Sequence, residues 1–387
     1  GTAFNSNAMK FTFDRFKRIG TMNYILGNKI KSIETPSEYS VIINLNKPSS
    51  SLNGLLTSVN LTPISPTFYK QYSDKFLNEK FVGTGKYVLT SFSNEVQSID
   101  PYLNYWGEKP LNNGVNFVGY SNSSSLFGAL KSKQIDVLLS NSIDDSQRKS
   151  LNDLSKNKQF NEGNSPFTEL SFISLKTSSY PLSNLNLRMA LAKSLNRKLI
   201  SEKVSYGLRK PSRSIIPPIL KKDNPELWPK YDYLEARMLL QKENYCNGNI
   251  LKIPLTYRSN VPADKLIALT WQEEIRNSLK DCIDIELNGV ESTTVYKNLS
   301  LGIYTAVILD WTGAYSDPEA YLTPLLSCNE IVDGICKKGE SVYSGSFWGS
   351  NKVESLFLES EKISGIKRLE KLVEIEKIAA SSIPYIP

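Results

Sequence analysis

The sequence contains no histidine. That absence removes Ser-His-Asp and Cys-His catalysis, and histidine-ligated zinc with them. Of the common hydrolytic chemistries, a carboxylate-only mechanism of the glycosidase kind is what remains. Cysteine is scarce: Cys246, Cys282, Cys328 and Cys336, with no C-x-x-C pair, so metal-ribbon and thioredoxin-like readings fall away. No apolar run approaches the roughly 20 residues that a membrane span needs. Although the formal charge is +7, lysine is spread along the chain beside Glu, Asp and Ser. No basic block suggests a nucleic-acid or anionic-membrane partner, and the charge reads as solubility background. A phosphate loop is absent too. Gly83-Thr-Gly-Lys86 lacks the earlier glycine (position 80 is Lys80), and Tyr87 follows where Ser or Thr is required. A tight turn with glycine at positive φ is expected there instead.

What is present describes an ordinary α/β chain of 387 residues, long enough for two or three domains. Met9–Gly20 has helical apolar spacing and a glycine stop, and Ser37–Pro48 alternates as a strand. Three strand-like runs follow, YVLTSFS, EVQSIDP and GVNFVGY. SSSLFGALKSKQ reads as a helix capped by its serines, IDVLLS as a buried strand, SIDDSQRKSLNDLSKN as a polar helix and TELSFISLKTS as a strand. LSNLNLRMALAKSLNRKLISEKV carries Leu187, Leu191, Leu195 and Leu199 on one helical face, with Asn184 or Ser183 as cap. Next comes strand–helix–strand–helix–strand: NILKIPLTYRS, ADKLIALTWQEEIRNSLKD, CIDIELNGV, STTVYKNLSLG and IYTAVILDW. This alternation implies parallel pairing. Cys246 and Cys282 each precede a strand, so neighbouring strands would bring them within bridging range; Cys328 and Cys336 close a short loop. Two disulfides are weighed against four buried thiols.

The stretch Asp310–Leu322, DWTGAYSDPEAYL, draws the most attention. It follows an all-apolar strand, where open parallel sheets bind ligands at their carboxyl ends. Trp311 and Tyr315 supply contact area, and Asp310, Asp317 and Glu319 supply charge. Each has a structural alternative: Trp311 as core, and Asp317-Pro318 as a helix start with Asp as cap. SGSFWGS (344–350) is a second aromatic cluster in which Phe347 is a candidate contact, and Tyr257-Arg258 ends its strand as another.

The order of these elements resembles the extracytoplasmic solute-binding proteins of peptide-type ABC transporters, family 5, which include oligopeptide, dipeptide and nickel binders. MKFTFDRFKRI is similar to the family's D-V-x-F-S-x-x-R helix. FVGTGKYVLTSF is similar to P-V-G-T-G-P-Y, and PYLNYWGEKP to N-x-x-Y-W-G-x-x-P. LKSKQIDVLL resembles L-x-x-G-x-I-D, and YPLSNLNLRMALAKSLNRKLI resembles P-x-x-D-x-R-V-R-x-A-L-x-x-A-I-D-R. DWTGAYSDPEAYL resembles W-x-x-D-x-x-D-P-x-x-F-L. The matches run in order over nearly the whole chain.

The resemblance implies a type II two-lobed α/β fold with an extra small α+β domain. By that likeness residues 1–82 are part of the small domain, 83–170 part of the first lobe and 171–387 the second lobe, and the chain is a fragment missing both ends. It implies a non-enzymatic, monomeric periplasmic protein without cofactor. Such a protein closes on a peptide or other small solute and delivers it to ABC permease subunits. Trp311 and Thr312 would offer main-chain bonds, and Trp311, Tyr315 and Phe347 side-chain pockets. One departure stands out. The family's W-x-x-D aspartate holds a peptide's ammonium, and that position here is Ala314. Either Asp310 or Asp317 substitutes, or the ligand is a metal chelate, a sugar or a modified peptide. A hydrolase using Asp310 and Asp317 is the rival from another class.

Overall fold

The computed structural model describes residues 2–19, 26, 29–71, 81–139, 143–221 and 226–387. The chain folds as two compact units, Gly1–Leu138 and Leu139–Pro387.

In the first unit, helix α1 (Ser6–Ile19) buries Ala8, Thr12 and Phe13 and ends on Lys17 and Arg18, which complement the helix dipole. The expected glycine stop, Gly20, lies outside the described residues. The single strand expected over 37–48 is instead the second half of a hairpin. Strand β1 (Ile30–Ser37) turns into β2 (Ser40–Leu45), with Ile33 opposite Ile43. Short helices α2 (Leu52–Leu56) and α3 (Pro66–Tyr69) follow. The Thr12 hydroxyl ties this subunit together, accepting from Ile64 N at 3.1 Å and donating to Ala8 O at 2.9 Å. The three expected strands form an antiparallel meander, β3 (Tyr87–Phe92), β4 (Val96–Pro101) and β5 (Val115–Val118). The GTGK stretch is a bend leading into β3, but neither Gly83 nor Gly85 has positive φ, so the turn does not depend on glycine there.

Helix α4 (Ser123–Lys131) is capped by Asn122, whose side chain accepts from Ser125 N at 2.8 Å, and not by the serine run. The buried strand expected at IDVLLS does not form over its described residues. Val137 and Leu139 are 77% and 71% exposed, and no strand lies beside them to complete a ladder among the described residues.

The second unit is built on a five-stranded sheet in the order β12-β6-β9-β7-β8. Before the sheet, helix α5 (Asp145–Lys156) starts with a reciprocal capping box between Asp144 and Gln147. The sheet strands are β6 (Glu169–Leu175), β7 (Leu251–Arg258), β8 (Ile283–Val290), β9 (Ala306–Thr312) and β12 (Tyr385–Ile386). As the alternation implied, β7 pairs in parallel with both β8 and β9. Strand β6 runs antiparallel to β9, with Leu170 opposite Trp311. A domain boundary at residue 170 therefore falls within β6, and the compact unit begins upstream of it.

The apolar run of β9 reflects burial on both faces. Ala306 and Ile308 join a cluster with Leu187, Leu191, Ile253 and Trp271, while Val307 and Leu309 join one with Leu322, Val353 and Ile375. Helices α6 (Leu185–Ser194), α7 (Arg197–Ser205), α8 (Tyr233–Lys242) and α9 (Pro262–Ser278) follow in sequence. All but α7 contribute fully buried residues to the first cluster. The second face is covered by α10 (Ser292–Leu299), α11 (Glu319–Leu326), α13 (Asn351–Ser360) and α14 (Gly365–Ser382). Hairpin β10 (Glu330–Val332) and β11 (Ile335–Lys338) and the one-turn α12 (Glu340–Tyr343) lie between α11 and α13.

The long helix expected after Asn184 is two helices. Asn184 caps α6, but Leu195 leaves the helical conformation and Asn196 caps α7 by accepting from Leu199 N at 3.1 Å. Both disulfides are present, Cys246–Cys282 and Cys328–Cys336.

Candidate solute-binding edge

The carboxyl ends of β7, β8 and β9 and the amino end of β6 share one edge of the sheet. Asp310, Trp311 and Thr312 reach it as the last residues of β9, and Tyr257 and Arg258 as the last of β7. Thr312 is exposed and pairs in register with Glu169. Tyr257 lies across Gly289 of β8; a methyl group there would meet its hydroxyl at 2.8 Å. Trp311 is half-buried against the second apolar cluster, and its indole N–H donates to Ala320 O at 2.8 Å, fastening the strand end to α11. Its ring therefore has a structural role as well as a partly open face. The turn after β9 is held by Tyr321, whose ring packs on Gly313 and whose hydroxyl donates to Thr168 O at 2.6 Å. Ala314 and Tyr315 follow, both half-buried.

Two arginines dominate the electrostatics. Arg258 is 4% exposed as a residue and bonds Asp264 through Nε at 2.7 Å and Nη2 at 3.1 Å. It also bonds Asp310 through Nη1 at 3.0 Å and Nη2 at 2.7 Å, and donates to the Tyr296 hydroxyl at 2.8 Å. Burial opposes its charge, but the bonds to both aspartates outweigh it and raise its pKa above the ordinary arginine value. Burial likewise raises the Asp264 carboxyl above its usual range, against the pull of Arg258. The second arginine, Arg368, holds Asp317 bidentately at 2.7 and 3.0 Å and reaches Glu319 at 2.8 Å. Asp317 also accepts from Glu319 N at 2.8 Å, so it acts at the helix start and in an ion pair at once. A further carboxylate, Asp145, takes Arg209 at 3.0 Å and Arg148 at 3.1 Å.

With Asp310 and Asp317 each engaged by an arginine, neither stands as an unengaged general acid or base. Among the described residues, no group of three or more Cys, Asp or Glu is placed to hold a metal ion.

Phe347 is not part of this edge. Its ring packs on Gly302, ahead of β9, and its neighbours Ser344 and Ser346 accept from Ser174 Oγ and Thr177 N at the far ends of β6 and β9. At about 3.3 Å per residue, the length of β9 separates it from Trp311 by roughly 20 Å. The residues expected to line side-chain pockets, Trp311, Tyr315 and Phe347, are therefore not brought together at one end of the sheet. Asp264, Tyr296 and Arg368 were not foreseen. Arg368 lies 51 residues from Asp317 and Arg258 lies 52 from Asp310, and only the sheet and its helices bring them together.

Over residues 1–333 the sequence matches the family described as Bacterial extracellular solute-binding proteins, family 5 Middle. The chain belongs to that family. Known binding proteins are similar to nearly the whole of this chain and to about three quarters of their own length. Heme-binding protein A of Haemophilus influenzae is 26% identical over 422 residues, spanning 99% of this chain and 71% of that protein. Glutathione-binding protein GsiB of Escherichia coli O6:K15:H31 is 22% identical over 394 residues, spanning 100% and 74%. Among solved structures, the periplasmic binding protein DppA of Helicobacter pylori, in complex with the peptide STSA, superposes with a TM-score of 0.79 at 21% identity. That match covers 100% of this chain and 76% of the other. The α/β fold is thus the family 5 binding-protein fold. Among the described residues, no helix is long and apolar enough to cross a membrane.

Proposed function

We propose that this family 5 protein is the substrate-binding component of an ABC importer and not an enzyme, and that it takes up a peptide or peptide-like solute. The observation that carries this reading is the family match, together with a strand edge that offers Trp311, Thr312, Tyr315 and Tyr257 around a charged centre. Main-chain groups at Thr312 would bond the solute backbone, and the aromatic rings would supply contact area at low entropic cost. Capture works by hinge closure: the solute shifts an open–closed balance, and the closed form engages permease subunits. A periplasmic site of action is in keeping with the two disulfides and with relatives of that compartment. The protein acts as a monomer, without cofactor. The relatives' names include heme and glutathione, and Ala314 removes a carboxylate from the loop, so a non-peptide or modified-peptide ligand is the second reading.

Native mass spectrometry on the full-length protein, purified without denaturation, tests this. Co-purified short peptides are the expected result. A single non-peptide species would establish the second reading, and an empty protein that ignores a peptide library would overturn the transport assignment.

A further inference from the structure

We propose that the second unit carries a further ligand site, a groove beside β12 that takes a small amphipathic monoanion, with a single carboxylate head on an apolar body. The proposal does not depend on what the strand edge of β7 and β9 binds.

The groove has a volume of about 540 Å3, within the roughly 300–1,000 Å3 of small-molecule sites. Its lining comes from α6, α8, the last turns of α14 and the segment around Trp228. The apolar part is Leu185, Met189, Leu227, Trp228, Leu239 and Ala380. Trp228 is fixed from two sides. Its indole N–H donates to Tyr385 O of β12 at 2.8 Å, and its carbonyl accepts from Arg213 Nε at 2.6 Å. Leu185 is 44% exposed, and Met189, Leu227 and Leu239 are half-buried, so apolar surface here is open to water. Covering it is favourable in proportion to its area, and Met189 can adjust to the shape of what covers it. No residue of β7, β9 or the loop after β9 lines the groove, and β6 stands between β12 and β9.

Three cations line the same groove: Lys193, Arg213 and Lys377. Two are already engaged. Lys193 pairs with Glu235 at 2.6 Å, and Arg213 pairs with Glu226. Lys377 is exposed on α14 and forms no ion pair among the described residues. Three cations therefore face two carboxylates, and the surplus is one positive charge carried by Lys377. That count sets the class of ligand. A neutral apolar molecule would leave Lys377 unused. A cation would add to the surplus, and a dianion would leave a charge unpaired beside Glu235 and Glu226. A monoanion balances the site, with the flexible Lys377 side chain closing three donors over the head group and the apolar body lying on Trp228 and its neighbours.

The test titrates octanoate and its neutral counterpart octanamide into the full-length protein by isothermal calorimetry. Octanoate should bind at one site with a dissociation constant of about 1 mM or tighter, and octanamide at least about fivefold more weakly. Lys377→Glu turns the surplus negative and should weaken octanoate about tenfold. Leu185→Asp places a carboxylate in the lining and should weaken it by a similar factor. Both positions are exposed, so neither change disturbs the core. Absence of saturable octanoate binding to wild type overturns the proposal, as does octanamide bound equally well or an affinity unchanged in Lys377→Glu. Octanoate displaced by a captured peptide would occupy the strand edge instead, and overturns it too. A wild-type dimer that becomes monomeric in Leu185→Asp, read by sedimentation, would give the groove to a second copy of the chain and likewise overturn it.

Discussion

Lys221 and Glu376 form an ion pair at 2.6 Å with side chains 2% and 0% exposed. Such a pair persists only if its remaining lone pairs are satisfied. Here Glu376 also accepts from Ser214 Oγ and from Ile215 N at 2.8 Å, so α14 anchors the segment 214–221. Removing only the cation strands a buried carboxylate, and Lys221→Ala should cost about 3–5 kcal/mol. The double variant Lys221→Met, Glu376→Leu should recover most of that loss, because no unpaired charge remains. Urea midpoints check both; equal losses in the single and double variants would contradict a charge-based account. No spacing in the sequence announces this pair, since its partners are 155 residues apart. The same holds for Arg368 and Asp317. That Asp310, Trp311 and Thr312 end a strand could be read in advance because the signal is local, an apolar run that stops at aromatics and acids. Phe347 sat in an equally suggestive local context, but local context does not say which end of the sheet a loop will reach.

At the scale of elements, periodicity located most helices and strands, and errors gathered where neighbours decide. Leu187, Leu191 and Leu195 are all buried as one face would be, yet Asn196 finds a better role as the cap of α7 than as a helix interior residue. IDVLLS has strand composition, but composition supplies no partner strand. The parallel order of β7 and β8 was legible from strand–helix alternation, and it carries the Cys246–Cys282 bridge with it. Leu251 N donates to Cys282 O at 2.8 Å, and Leu251 then pairs with Ile283, so the bridge sits directly at the start of this ladder. Its loop of 36 residues restricts the unfolded chain, which corresponds to about 3–4 kcal/mol in the chain-entropy account, against about 2–3 for the 8-residue loop of Cys328–Cys336. Cys246→Ser with Cys282→Ser should therefore lower the urea midpoint more than Cys328→Ser with Cys336→Ser. The reverse order would show that local packing, not loop length, sets the contribution.

For the whole molecule, the two units differ in how much each can stabilise alone. Every residue of both apolar clusters falls between Leu170 and Ile386, both disulfides lie in the same range, and all partners of the five-stranded sheet are internal to it. Residues 139–387 thus hold a two-faced core of the size typical for an independent domain. Among the described residues of the first unit the buried apolar side chains are few, including Phe13, Leu26, Ile33, Leu55 and Leu61. Leu103, Trp106 and Leu111 there are at least 77% exposed. A chain of residues 139–387 should fold by itself, with one cooperative urea transition and with the near-ultraviolet signal expected of the buried Trp228 and Trp271. Residues 1–138 alone should unfold at a lower urea concentration or bind a hydrophobic dye without a sharp transition. If the larger piece instead gave a broad transition with dye binding, its core would depend on the first 138 residues. The burial seen within 139–387 would then be insufficient to hold the sheet.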